Sequence, residues 1–114
     1  MLKSSNRIKQ KEFQVFFKSG KSIHTPLFTL VYGVQTQKTL ILQPKCSVVV
    51  PKTVAKKAVD RNKIRRRVYG ILRKNQKTLK NKGFYIFLTK KPIITASFVD
   101  ITEACLDAIS KITI

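Results

Sequence analysis

With 24 Lys and Arg against 5 Asp and Glu in 114 residues, the chain carries a formal net charge of +19. That field is far stronger than solubility requires and implies a polyanionic partner. Yet 43% of the residues are hydrophobic and fall in periodic runs, which excludes a disordered tail and fits one domain, residues 1–114, around one core. No run reaches the roughly 18 apolar residues of a membrane span, and Met1-Leu2-Lys3-Ser4-Ser5-Asn6 leads into charge rather than a secretory apolar region. A cytoplasmic protein without a membrane partner is expected.

The first helix is expected to begin after Ser5 or Asn6 as cap and to end near Ser19-Gly20, where glycine is the usual stop. Phe13 and Phe17, four apart, share a face that in a generic amphipathic helix would be core. Val15 and Phe16 point elsewhere and are the better core candidates. Strand signals follow at Pro26 to Val34, Thr39 to Leu42 and Ser47 to Val50, the first two pairing as a hairpin. Alternation sends Phe28, Leu30 and Tyr32 to one face of the first strand and Thr29 and Val31 to the other. Pro51 ends the third strand, Lys52 occupies the turn, and Val54 and Ala55 open a long helix that runs to about Lys74 or Asn75. A lysine-rich linker through Asn81-Lys82-Gly83 reads as a solvated turn. A fourth strand, Gly83 to Thr89, turns at Lys90-Lys91-Pro92 into a last helix, Ser97 to Lys111, with Val99, Ile101, Ala104, Cys105, Ala108 and Ile109 as its apolar side. The order α-β-β-β-α-β-α implies an α/β (α+β) sandwich with one mixed four-stranded sheet.

The most informative stretch is Arg61-Asn62-Lys63-Ile64-Arg65-Arg66-Arg67, because no hydrophobic core requires so many cationic and amide side chains around one isoleucine. At about 100° per residue Ile64 falls with Val68, Ile71 and Leu72, while Asn62, Arg65, Arg66, Tyr69 and Arg73 form a neighbouring stripe. One helix can therefore dock on a sheet and still present guanidinium forks to phosphates, with the Asn able to read or brace a backbone or base edge. Arg61 lies near the apolar side and has to snorkel outward.

Catalytic chemistry is poorly provided for. Metal-dependent nucleases need clustered acids, and the chain has only Glu12, Asp60, Asp100, Glu103 and Asp107. The last three sit on the final helix, where acids suit the first turn and offset lysines. Cys46 and Cys105 have no partner at metal-ligand spacing and read as buried or half-buried free thiols. His24, the sole histidine, has no triad pattern around it and reads as a loop residue. No catalytic or metal-binding residue is assigned to the protein itself.

The run Ala58-Val59-Asp60-Arg61-Asn62-Lys63-Ile64-Arg65-Arg66 resembles the arginine-asparagine-arginine signature of the bacterial ribonuclease P protein subunit, the small basic partner of a catalytic RNA. Three further segments resemble the family in order: Arg7-Ile8-Lys9 with Glu12 through Ser22, then Ser47-Val48-Val49-Val50-Pro51-Lys52, and Tyr85 through Pro92. The resemblance spans almost the whole chain. It implies a two-layer sandwich with a left-handed βαβ crossover around the signature helix, whereas general rules favour a right-handed one. It also implies the protein subunit of an endoribonuclease that removes the 5′ leader of precursor tRNA. The RNA subunit and its Mg2+ would carry the chemistry, the protein raising magnesium affinity indirectly. By this resemblance Arg61, Asn62, Lys63, Arg65, Arg66 and Arg67, with Lys52 and Lys56, would face the catalytic RNA. Phe13, Phe17 and Lys90 would line a cleft where aromatics stack on leader bases.

The chain departs from the family pattern twice. Many members carry two lysines at the turn after the third strand; here the second is Thr53, with Lys56 and Lys57 one turn later. The family often has an aromatic at the position of Val31, whereas here Tyr32 follows it and should face the other way unless a bulge intervenes. A ribosomal or chaperone-like RNA-binding protein would share the charge and fold class but lack the aromatic cleft. A DNA-binding module has no helix-turn-helix or zinc spacing to support it, and DNA is not an expected partner.

Overall fold

The computed structural model of the protein describes residues 8–34, 44–79 and 83–112. Within them run α1 (Gln10–Ser19), β1 (Lys21–His24), β2 (Phe28–Val34), β3 (Lys45–Val49), α2 (Ala58–Lys74), β4 (Gly83–Thr89) and α3 (Phe98–Ser110). The element order is the expected one, and β4 has the expected bounds. The first hairpin differs, because Lys21–His24 pairs antiparallel with the strand after it. This strand is short and polar, with only Ile23 half-buried, so no alternating apolar signal marks it. The expected strand Thr39 to Leu42 lies outside the described residues.

The sheet order is β1-β2-β4-β3, with β4 antiparallel to β2 and parallel to β3. Phe84, Tyr85, Ile86 and Phe87 of β4 are all buried, as befits an interior strand covered on both faces, whose sequence is a continuous apolar run. Phe84 and Ile86 face α1, where they pack with Phe16 and Val31. Tyr85 and Phe87 face α2 and α3, joined there by Phe28, Leu30, Tyr32, Ile64, Val68, Leu72, Ile101 and Cys105. Sheet and α2/α3 form the two layers of the sandwich, and α1 covers part of the opposite face.

The alternation expected in β2 holds. Its register with both neighbours is unbroken, so no bulge intervenes: Tyr32 is core on the α2 side and Val31 lies on the α1 side. On that side Phe16 stacks on Phe84, with ring centroids 4.5 Å apart and planes 10° from parallel. Gly33 pairs with Phe84 in the register, and a Cβ on it would stand 2.7 Å from the Phe84 ring. The glycine thus lets the ring lie across the strand and anchor α1.

Several helix boundaries and faces differ from expectation. Residues 8 and 9 are not helical, because the Ile8 N–H donates to the carbonyl of Cys46 at 2.9 Å; α1 therefore starts at Gln10, and the expected caps Ser5 and Asn6 lie outside the described residues. Val15 is 58% exposed rather than core. Gly20 follows α1 without a left-handed backbone, since among the described residues no glycine has a positive φ. Val54 and Ala55 are buried but not helical. Their N–H groups both donate to the Pro51 carbonyl, at 3.0 and 3.2 Å, in a turn that tucks both side chains under the core before α2 begins. In α3 the expected ends prove to be its caps, Ser97 and Lys111, and the Ser97 hydroxyl accepts from the Asp100 N–H at 3.1 Å. Val99 is exposed, since two residues before Ile101 on a helix is nearly the opposite side. His24 ends β1, exposed, its Nδ1 3.2 Å from the Thr29 hydroxyl across the hairpin.

Cys46 and Cys105 are buried free thiols, pushed up to about 12 by burial. Among the described residues no helix is long and apolar enough to cross a membrane.

Helical periodicity places Tyr69 on the polar stripe of α2, yet it is buried. Its hydroxyl accepts the Val48 N–H of edge strand β3 at 3.1 Å, so the ring fills the α2–sheet interface while the polar tip satisfies the backbone. Tyr69→Phe would leave that buried N–H without this partner, and should lower unfolding free energy by about 1–3 kcal/mol in chemical denaturation.

Candidate nucleic-acid interface

α2 divides its circumference between core and solvent. Ile64, Val68, Tyr69, Ile71 and Leu72 are buried, while Asn62, Lys63, Arg66 and Arg73 are exposed and Arg65 and Arg67 half-exposed. Among the described residues, none of these cations is held in an ion pair, whereas on α3 Lys111 pairs with Asp107 at 3.1 Å. The Arg65 guanidinium donates to the Asn62 side-chain carbonyl at 2.9 Å. This i,i+3 brace orients one fork and leaves the other donors of Arg65 available.

The signature residues do not form a single array. Asn62, Arg65 and Arg66 line one shallow recess with Val59. Lys63, Arg66 and Arg67 line another on the flank toward α3, so Arg66 is shared between the two. Arg61 stands apart: its Nη1 donates to the carbonyls of Ala55 at 3.0 Å and Lys56 at 2.7 Å. It ties down the turn before α2 instead of snorkelling outward to project with the others. Lys52 and Lys56 are exposed at that turn. Asp60 in the first turn and Arg73 and Lys74 in the last complement the helix dipole.

The second surface lies across the sheet, on α1. Anchoring by Phe16 leaves Phe13 half-buried against the core edge and Phe17 45% exposed. Their rings stack with centroids 5.9 Å apart and planes 19° from parallel. With Gln14 and Lys18 they line a recess of about 410 Å³. Lys90 does not line it. Its ammonium donates to the Thr25 carbonyl at 2.8 Å, bracing the β1–β2 turn. Lys18 is the cation beside the aromatic pair, a residue missed in sequence although it directly follows Phe17.

Among the described residues no three His, Cys, Asp or Glu side chains come together in a group that could hold a metal ion.

Residues 2–113 match the family model described as Ribonuclease P. The chain belongs to the ribonuclease P protein family. It is 35% identical over 108 residues to the ribonuclease P protein component of Rickettsia bellii, covering 86% of this chain and 88% of that one. With the component of Rickettsia canadensis it shares 32% identity over 109 residues, covering 90% and 92%. The fold matches the RNase P protein of Thermotoga maritima with a TM-score of 0.81 at 22% identity, covering 94% of this chain and 97% of that one. It matches that of Staphylococcus aureus with a TM-score of 0.77 at 23% identity, covering 93% of both. Ribonuclease P proteins are subunits of an endoribonuclease holoenzyme, partnered by ribonuclease P RNA, and their general role is tRNA 5′-leader processing.

The geometry of α1 separates packing from exposed stacking. Phe16→Ala should cost roughly 3–5 kcal/mol of unfolding free energy, as expected for a buried aromatic. Phe17→Ala should cost well under half as much, and denaturant titration of the two variants checks the ordering.

Proposed function

We propose that this ribonuclease P protein bridges two RNAs across its sheet. The exposed side of α2 contacts ribonuclease P RNA through Asn62, Lys63, Arg65, Arg66 and Arg67, with Lys52 and Lys56 adding charge at the turn. The Phe13–Phe17 platform, with Lys18 beside it, receives the single-stranded 5′ leader of precursor tRNA. Base-on-aromatic stacking suits that task because every base has a π face, so leaders of different sequence can be held.

The observation that carries the reading is the stacked Phe13–Phe17 pair, with Phe13 half-buried and Phe17 exposed, on the face of the sheet away from the cationic side of α2. An RNA-binding protein with one partner has no need of two surfaces of such different chemistry. Arg61 acts as a positioning residue here, since it holds the backbone turn that leads into α2. Magnesium and bond cleavage belong to the RNA subunit in this division of labour, a reading supported by the absence, among the described residues, of a carboxylate cluster that could hold metal ions.

Reconstitution tests the proposal. Protein freed of RNA should leave precursor tRNA intact in magnesium, and adding ribonuclease P RNA should yield cleavage at the mature 5′ end. Phe17→Ala in the reconstituted complex should weaken binding of leader-bearing precursor by about 1–3 kcal/mol per stacked base lost, with little effect on mature tRNA. Equal loss for both substrates, or cleavage by the protein alone, would contradict the reading.

A further inference from the structure

The flank of α2 toward α3 holds a notch of about 410 Å³ lined by Lys63, Arg66, Arg67, Gly70, Lys74 and Phe98. Two of these residues are unexplained by the fold. Phe98, in the first turn of α3, is 48% exposed, so its ring adds little to the core. Gly70 lies inside a 17-residue helix, where glycine is the poorest former after proline. Its φ is not positive, and nothing stands within 4 Å of where its Cβ would be. Neither backbone conformation nor close packing requires a glycine there. What its missing side chain does is keep the space beside Phe98 open.

We propose that this notch takes one unpaired nucleotide of the ribonuclease P RNA, the base resting on Phe98 above Gly70 and its phosphates among Lys63, Arg66, Arg67 and Lys74. An accessible aromatic surrounded by cations is the chemistry of single-stranded nucleic-acid recognition; a duplex backbone would use the cations and leave the ring idle. Four cations without ion pairs among the described residues match a phosphate-flanked base. Arg66 also lines the recess of Asn62 and Arg65, which makes the notch continuous with the α2 array and separate from the Phe13–Phe17 platform. The inference therefore rests on the reading that the exposed side of α2 binds ribonuclease P RNA.

The chain has no tryptophan, so Phe98→Trp introduces a single reporter that can still stack. Its emission should be quenched by ribonuclease P RNA at concentrations that saturate the variant in a mobility shift, and should not respond to precursor tRNA alone. Gly70→Leu, which meets open space and replaces a poor helix former, should abolish the quenching in that background without lowering the melting temperature. Phe98→Ala should weaken RNA affinity about tenfold, within the contribution of one stacked base, and leave the salt dependence unchanged because no charge is removed. An unquenched reporter on bound RNA overturns the notch alone, and quenching by precursor tRNA without the RNA subunit overturns the choice of partner. If the native chain fails to shift ribonuclease P RNA at all, the reading of α2 falls and the notch with it.

Discussion

Burial of β4 on both faces is the constraint from which the rest follows. A strand carrying Phe84, Tyr85, Ile86 and Phe87 in succession must be covered above and below, so the helices are divided between the two faces of the sheet. α1 is held by the Phe16–Phe84 stack, which Gly33 makes sterically possible. α2 and α3 take the other side with the larger part of the core. The two chemically distinct surfaces are separated by the thickness of the sheet because the same strand anchors both.

Within that frame α2 does two things at once. Its aliphatic side and the Tyr69 ring hold it to the sheet, and the Tyr69 hydroxyl satisfies an N–H of the edge strand. The opposite side is then free to concentrate positive charge, and among the described residues none of its cations is held in an ion pair. Such concentration costs stability through self-repulsion in the isolated protein. The cost is relieved when phosphates arrive and their counterions are released. Arg61 shows where the two roles meet: a signature residue by position, its guanidinium nonetheless bonds to the chain's own carbonyls just before α2.

Much of this was legible in the residues themselves. The bounds of β4, the extent of α3 to within one residue at each end, the alternation of β2 and the aliphatic side of α2 follow from apolar periodicity. What was not legible depends on partners distant in sequence. β1 is a polar edge strand visible only through its pairing with β2, and the late start of α1 reflects a bond from Ile8 to Cys46. The turn burying Val54 and Ala55 looks like a helix start because both residues are apolar. On α1 the spacing of Phe13 and Phe17 alone reads as core, and only the family resemblance sets the pair apart; the stripe of Asn62, Arg65, Arg66 and Arg73 follows from helical periodicity, whereas the bond of Lys90 to Thr25 and the place of Lys18 beside the pair depend on tertiary geometry.

The central claim is that the uncompensated cationic side of α2 is the surface that ribonuclease P RNA binds. The most direct test is the salt dependence of that binding for the native chain and for an Arg65→Ala/Arg66→Ala double variant, with thermal unfolding measured alongside. Both side chains lie off the apolar side, so the melting temperature should be preserved. The magnitude of the slope of log K against log salt should fall by about 1.5 to 2, as expected for the loss of two phosphate contacts. An unchanged slope in a normally folded double variant would place the RNA surface elsewhere on the protein.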